Sequence, residues 1–160
     1  MKDRILPLPK LTTMCRQWRA EGKRVVLTNG TFDVLHVGHV RYLEAARALG
    51  DLLVVGLNSD SSVRGYKGQG RPIVPQDERA EILAALRCVD YVTIFDQPTA
   101  THLVQALQPD FYVKGGDYTG PTGKPLPEAE AVLSYGGQVH IIPYVAGHSA
   151  SDLIEKMRKT

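Results

Sequence analysis

The stretch Arg24-Val25-Val26-Leu27-Thr28-Asn29-Gly30-Thr31-Phe32-Asp33-Val34-Leu35-His36-Val37-Gly38-His39 decides how the rest of the chain reads. Its first five residues are a β-rich run, preceded by the turn-like Glu21-Gly22-Lys23. Val40 to Leu49 follows as a helix, with Leu43, Ala46 and Leu49 recurring at helical spacing and Gly50 as its stop. A strand that runs through a glycine-containing turn into a helix is the opening of a β-α-β unit.

The same alternation continues to the end of the chain. Leu52 to Leu57 is an almost continuous apolar run, the pattern of a strand buried on both faces. Helices are expected over Thr12 to Glu21, Gln76 to Arg87, Thr101 to Leu107, Glu128 to Tyr135 and Ser151 to Arg158. Further strands are expected over Tyr91 to Phe95, Phe111 to Val113 and Val139 to Ile142. Strands alternating with helices imply an α/β fold with a parallel central sheet covered on both faces, a three-layer sandwich. With 160 residues, the expectation is a single domain, 1–160, made of an N-terminal helical extension (1–22) and a Rossmann-like core (23–160).

Composition narrows the class. The chain is 43% hydrophobic and 22% charged, which suits a folded globular protein and not a disordered one. Its formal net charge is +2, and no basic stripe with interleaved aromatics occurs, so nucleic acid is not an expected partner. Cys15 and Cys88 are far apart and form no Cys-x-x-Cys pair, which fits reduced thiols and not a zinc site. Met1 to Lys10 lacks the apolar core of a signal peptide, and Leu52 to Leu57 is too short to span a bilayer. The expected location is the cytoplasm, with no membrane partner.

In open α/β sheets ligands bind beyond the carboxyl ends of the strands, so the segments after strands carry the chemistry. After the first strand, Gly30 permits a tight turn and close approach. His36 and His39 are three residues apart, near the N-terminus of the next helix, with Gly38 between them. Free N–H groups, positive potential and two imidazole donors make a seat for a polyphosphate. A metal site would need a third ligand, and none has obvious spacing. Asn58-Ser59-Asp60 follows the second strand and reads equally as a helix cap or as ligand contacts. Gly65, Gly68 and Gly70 around Tyr66-Lys67-Gly68-Gln69-Gly70-Arg71-Pro72 suggest a mobile loop that could bring Lys67 and Arg71 over a substrate. Lys114-Gly115-Gly116-Asp117-Tyr118 and Gly147-His148-Ser149-Ala150-Ser151 are the remaining candidates, each readable also as a turn or a cap.

The His36-Val37-Gly38-His39 segment resembles the His-x-Gly-His motif of the cytidylyltransferase-like nucleotidyltransferases, over about Arg24 to Lys156. The resemblance implies that His36 and His39 contact nucleotide phosphates and stabilise the transition state, with Lys67 binding phosphate and Arg79 near the active site. Asn58-Ser59-Asp60, Lys67-Gly68, Arg71-Pro72, Arg79 and Lys114-Gly115-Gly116-Asp117-Tyr118 resemble the heptose-1-phosphate adenylyltransferases. Gly147 to Ser151 is similar to the superfamily's Ser-Thr-Thr-type phosphate segment, from which Ala150 departs by lacking a hydroxyl. Thr31 departs too, since several heptose enzymes carry cysteine there. The Gly-Thr-Phe-Asp form is common in glycerol-3-phosphate cytidylyltransferases and archaeal FAD synthases.

The implied reaction is adenylyl transfer from ATP to a sugar 1-phosphate, with Mg²⁺ bridging ATP oxygens while keeping most of its waters. His36, His39, Lys67 and Arg71 are the expected catalytic residues. Asn29, Gly30, Thr31, Phe32, Gly38, Asn58, Asp60, Arg79, Lys114, Gly115, Asp117, Ser149 and Ser151 are expected around the nucleotide. Asp33, Lys67 and Tyr118 are expected at the acceptor. The resemblance also implies a homodimer and a separate upstream sugar kinase.

Overall fold

Alternate side chains of each strand feed opposite faces, and this builds three layers from one sheet. A computed structural model describes residues 1–116, 126–143 and 147–160. The described residues form the helix α1 (Leu8–Ala20), β1 (Val25–Gly30), α2 (Val37–Arg47), β2 (Leu52–Asn58), α3 (Asp60–Lys67) and α4 (Gln76–Ala85). They continue through β3 (Tyr91–Phe95), α5 (Thr101–Leu107), β4 (Phe111–Gly115), α6 (Glu128–Ser134), β5 (Gln138–Ile142) and α7 (Ala150–Arg158). The sheet has the order β3-β2-β1-β4-β5, and every pair in it is parallel.

Within β1, Val26 packs on one face with Leu43 and Ala46 of α2 and Ala80, Leu83 and Ala84 of α4. Val25 and Leu27 pack on the other face with Leu11, Cys15 and Trp18 of α1, with Leu103, Val104 and Leu107 of α5, and with Val132 of α6. This is the expected α/β sandwich. Apolar burial on both faces, at roughly 25 cal/mol per Å², is its main stabilisation. Cys15 and Cys88 are free. No helix of the described residues is long and apolar enough to cross a membrane.

Two expectations change. The strand after Lys23 runs two residues further than its apolar run, through Asn29 and Gly30, and α2 begins at Val37, three residues before Val40. The segment after β2 is a helix, α3, where no helix was expected, and it carries Tyr66 and Lys67 in its last turn. Gly65 and the serines give that stretch poor helix propensity. It holds because Ser59 caps it, accepting the Ser62 N–H at 3.3 Å, and Val63 is buried.

Three aspartates fix the register at the opposite end of the sheet. Asp51, Asp90 and Asp110 each precede a strand. Asp51 accepts the Arg24 N–H at 2.8 Å and returns its own N–H to the Arg24 carbonyl. Asp90 makes the same reciprocal pair with Leu53, and Asp110 with Val25. Each bond satisfies a strand-end N–H that the ladder leaves over. Val25 is buried, so losing its acceptor strands a donor away from water. Asp110→Ala should therefore lower unfolding stability by about 1–3 kcal/mol in urea titration, with Asp110→Asn costing less because its amide oxygen still accepts. An unchanged midpoint for Asp110→Ala would remove this role.

Candidate active site

Strand order reverses between β1 and β4, so their carboxyl ends splay apart and open a crevice. A cavity of about 1120 Å³ lies there. Asn29 and Gly30 end β1 and form its floor; an added Cβ on Gly30 would meet the Phe32 ring at 3.1 Å. Phe32 has φ +47, an uncommon backbone for a bulky residue, of the kind found at ligand sites. This turn brings the Phe32 ring to 5.5 Å from the His39 ring.

The start of α2 sets the histidine pair. His36 is the N-cap: its Nδ1 accepts the Gly38 N–H at 3.1 Å, while its own N–H donates to His39 Nδ1 at 3.3 Å. Each neutral ring therefore carries its hydrogen on Nε2. The rings lie 3.9 Å apart, and His36 Nε2 is buried without a partner among the described residues. Gly38 is required here, since a Cβ would fall 2.8 Å from His36 Cε1 and 2.9 Å from His148 Cβ. Burial, then the charges of His36 and Lys67, lowers the His39 pKa to about 4. Burial and then His148 lower that of His36. Both rings are thus neutral N–H donors near pH 7, not cations.

The cationic arm is held from beneath. Lys67 lines the cavity, and burial followed by the Arg71 charge lowers its pKa, with Asp33 opposing. Asp33, expected at the acceptor, lines the cavity, and its carboxylate also anchors the arm. It accepts the N–H groups of Ile73 and Val74 and the Arg71 Nε at 3.0 Å. Burial alone would raise this carboxyl, but those hydrogen bonds and the Arg71 charge hold it below the usual range.

Arg71 is the second partner of that ion pair and is not among the residues lining the cavity. Arg79, expected at the nucleotide, is instead fully buried at 0% exposure beneath the site. Its guanidinium donates to the carbonyls of Val74, Thr31 and Asn58 and to Asp60 Oδ1 at 2.7 Å. Asp60 is thereby committed to Arg79 and is likewise absent from the cavity wall. Both placements have one cause: a buried guanidinium must have its donors satisfied, and these carbonyls and Asp60 do so.

The remaining expected residues line the cavity: Thr31, Asn58, Lys114, Gly115, Ser149 and Ser151. Thr31 shares a hydrogen bond with the Tyr66 hydroxyl. The Asn29 side chain accepts from Tyr112, and Lys114 Nζ donates to the Asn29 carbonyl at 3.1 Å. Ser149 caps α7, accepting the Asp152 N–H at 3.0 Å. Asp117 and Tyr118 lie outside the described residues.

The cavity also holds residues that motif reading left out. His148 lies with its ring 6.1 Å from that of His36, nearly parallel to it; its place beside Ser149 was the available signal. Arg41 and Tyr42 lie one turn along α2 from the histidines, where helical spacing could have suggested them. Glu128 carried no signal in sequence.

Comparison with known proteins follows the same outline. The cytidylyltransferase-like family matches residues 27–151. The chain is 55% identical over 143 residues to the bifunctional protein HldE of Geobacter sulfurreducens, covering 88% of this chain and 28% of that protein. It is 53% identical over 157 residues to the bifunctional protein HldE of Geotalea uraniireducens, covering 97% of this chain and 31% of that protein. It therefore spans under a third of the length of these relatives. A crystal structure of the lipopolysaccharide core biosynthesis protein from Thermoplasma volcanium superposes with a TM-score of 0.62 at 29% identity, covering 78% of this chain and 98% of that one. On the family match, the sheet order and the histidine pair at the switch point, this chain belongs to the cytidylyltransferase-like family.

Proposed function

We propose that the protein transfers an adenylyl group from ATP to a sugar 1-phosphate, D-glycero-D-manno-heptose 1-phosphate, giving ADP-heptose and pyrophosphate. The observation that carries the reading is the buried, unpartnered Nε2 of His36, 3.9 Å ring to ring from His39, at the N-terminus of α2. A buried donor with no acceptor is costly, and a phosphate oxygen is the acceptor its surroundings suit. Family membership supports nucleotidyl transfer, and similarity to proteins named HldE and to a lipopolysaccharide core biosynthesis protein supports a sugar phosphate acceptor.

In this reaction an oxygen of the sugar phosphate attacks the α-phosphorus. The bond from that phosphorus to the bridging oxygen breaks, and pyrophosphate leaves with the electron pair. The attacking phosphate is already anionic, so catalysis rests on positioning and on donors aimed at developing charge. His36 and His39 supply neutral N–H donors to the phosphates, and Lys67 and Lys114 supply positive charge on the cavity wall. Among the described residues no three His, Cys, Asp or Glu side chains are grouped to hold a metal. Mg²⁺ entering with the nucleotide as MgATP would supply charge neutralisation on the phosphates, beside Lys67 and Lys114. A kinase step supplying the sugar 1-phosphate, a homodimer and a cytoplasmic location complete the proposal.

Two outcomes test it. His39→Ala should cut pyrophosphate release from ATP and the heptose phosphate by about 10²-fold or more, as loss of a transition-state donor does. Near-normal turnover would remove the pair from the mechanism. The second concerns stability against pH. The folded-state pKa of His39 lies below its ordinary 6.5, at about 4, so the unfolded chain binds the extra proton between these values. The His39 contribution is then fully present above pH 6.5 and is lost as pH falls toward 4. In thermal melts across this window, His39→Gln should flatten part of the wild-type decline. Parallel curves for the two proteins would contradict the neutral-ring assignment.

A further inference from the structure

Glu128 opens α6 and is 5% exposed. Burying a carboxylate that deeply is costly unless its oxygens find donors. One oxygen has found one: Oε1 accepts the buried Ala100 N–H at 2.8 Å, just ahead of α5. Oε2 has no hydrogen-bond partner among the described residues. Nor is Oε2 sealed away, as the unpartnered His36 Nε2, Arg71 Nη2 and Thr93 Oγ1 are. The side chain lines the same cavity as the histidine pair, beside Pro98 and Thr99.

Much of the polar side chain in that wall donates hydrogen bonds: His36, His39, Lys67, Lys114 and Arg41 all suit phosphate oxygens. A carboxylate oxygen does the opposite. It repels phosphate and accepts from O–H groups. Each sugar-bearing ligand brings phosphates that suit the donors and hydroxyls that need an acceptor.

We propose that Glu128 is a specificity-determining residue whose free carboxylate oxygen accepts a hydrogen bond from a sugar hydroxyl of a bound ligand, the nucleotide ribose or the acceptor sugar. The inference rests on the adenylyl-transfer reading for its choice of ligands. Glu128→Gln isolates the effect. The amide oxygen of glutamine still accepts the Ala100 N–H, while the second position becomes an NH₂ donor facing the hydroxyl.

The test is calorimetric binding to wild type and Glu128→Gln of two probes. One is ATP. The other is D-glycero-D-manno-heptose 1-phosphate in the presence of a non-hydrolysable ATP analogue. The variant should melt at the wild-type temperature and bind one of the two ligands roughly tenfold or more weakly, as loss of a charge-assisted hydrogen bond does. Weakened ATP assigns the ribose; weakened heptose phosphate assigns the acceptor. Binding of both within twofold of wild type, or no measurable change in ATP where the heptose phosphate does not bind at all, would overturn the proposal and leave Glu128 as a cap for Ala100.

Deoxygenated ligands give the same answer on the wild type without any variant. Removing the hydroxyl that Glu128 reads should weaken 2′-deoxy-ATP, 3′-deoxy-ATP or a deoxyheptose phosphate by a similar factor, and full-strength binding of all of them would overturn it. Pyrophosphate release is scored separately. Its absence in a wild type whose binding still responds to Glu128→Gln counts against adenylyl transfer and not against the role of Glu128.

Discussion

Arg79 is the tie on which the site depends. It sits on α4 with a fully buried guanidinium and four bonds, at 2.8 Å to Val74, 2.6 Å to Thr31, 2.9 Å to Asn58 and 2.7 Å to Asp60. These partners come from the residue after β1, the end of β2, the first turn of α3 and the segment after Pro72. One planar fork therefore fixes the spacing of the carboxyl ends of β1 and β2 and anchors the helix whose last turn carries Lys67. A lysine at this position could not reach the same partners, because its donors radiate from one atom instead of a rigid plane. Asp33 repeats the device a layer higher, gathering Ile73, Val74 and Arg71 around a carboxylate.

This arrangement explains what was legible in the sequence and what was not. The sandwich was legible because apolar runs of strand length alternated with helical periodicity, and both patterns are local. The histidine pair at a helix start was legible because His36, Gly38 and His39 are contiguous and belong to one helix start. Arg79, Asp60, Asp33 and Arg71 were expected to touch ligand, and the structure uses their charges on one another and on the backbone. A charged residue near a ligand motif has the same sequence signature in either role, because burial and partners come from segments up to 48 residues apart. α3 was missed for a different reason: its capping serine was visible, but Gly65 and a single buried apolar residue, Val63, left no helical period to detect. Glu128 belongs to no motif, and only the packing of α6 against α5 brings it to the cavity.

The histidines do different work from what two basic residues over a triphosphate suggest. Their Nδ1 atoms are consumed in closing the first turn of α2, which fixes the tautomer and aims both Nε2–H groups outward from the turn. Burial keeps the rings neutral, so they offer directed N–H donors, which on the proposed function would need no reorganisation as charge develops. Positive charge comes instead from Lys67 and Lys114, on separate elements. Gly38 belongs to the same design, because any side chain there would collide with His36 and His148. Thr31 joins it through the Tyr66 hydroxyl, linking the end of β1 to the last turn of α3.

On the proposed function, this cavity joins ATP to a heptose 1-phosphate. The most direct test is pyrophosphate release by the purified chain with ATP or CTP, each against D-glycero-D-manno-heptose 1-phosphate, glycerol 3-phosphate and FMN. Release is expected with ATP and the heptose phosphate at a rate well above that of every other pair. Preferred release with CTP and glycerol 3-phosphate, or with ATP and FMN, would contradict it.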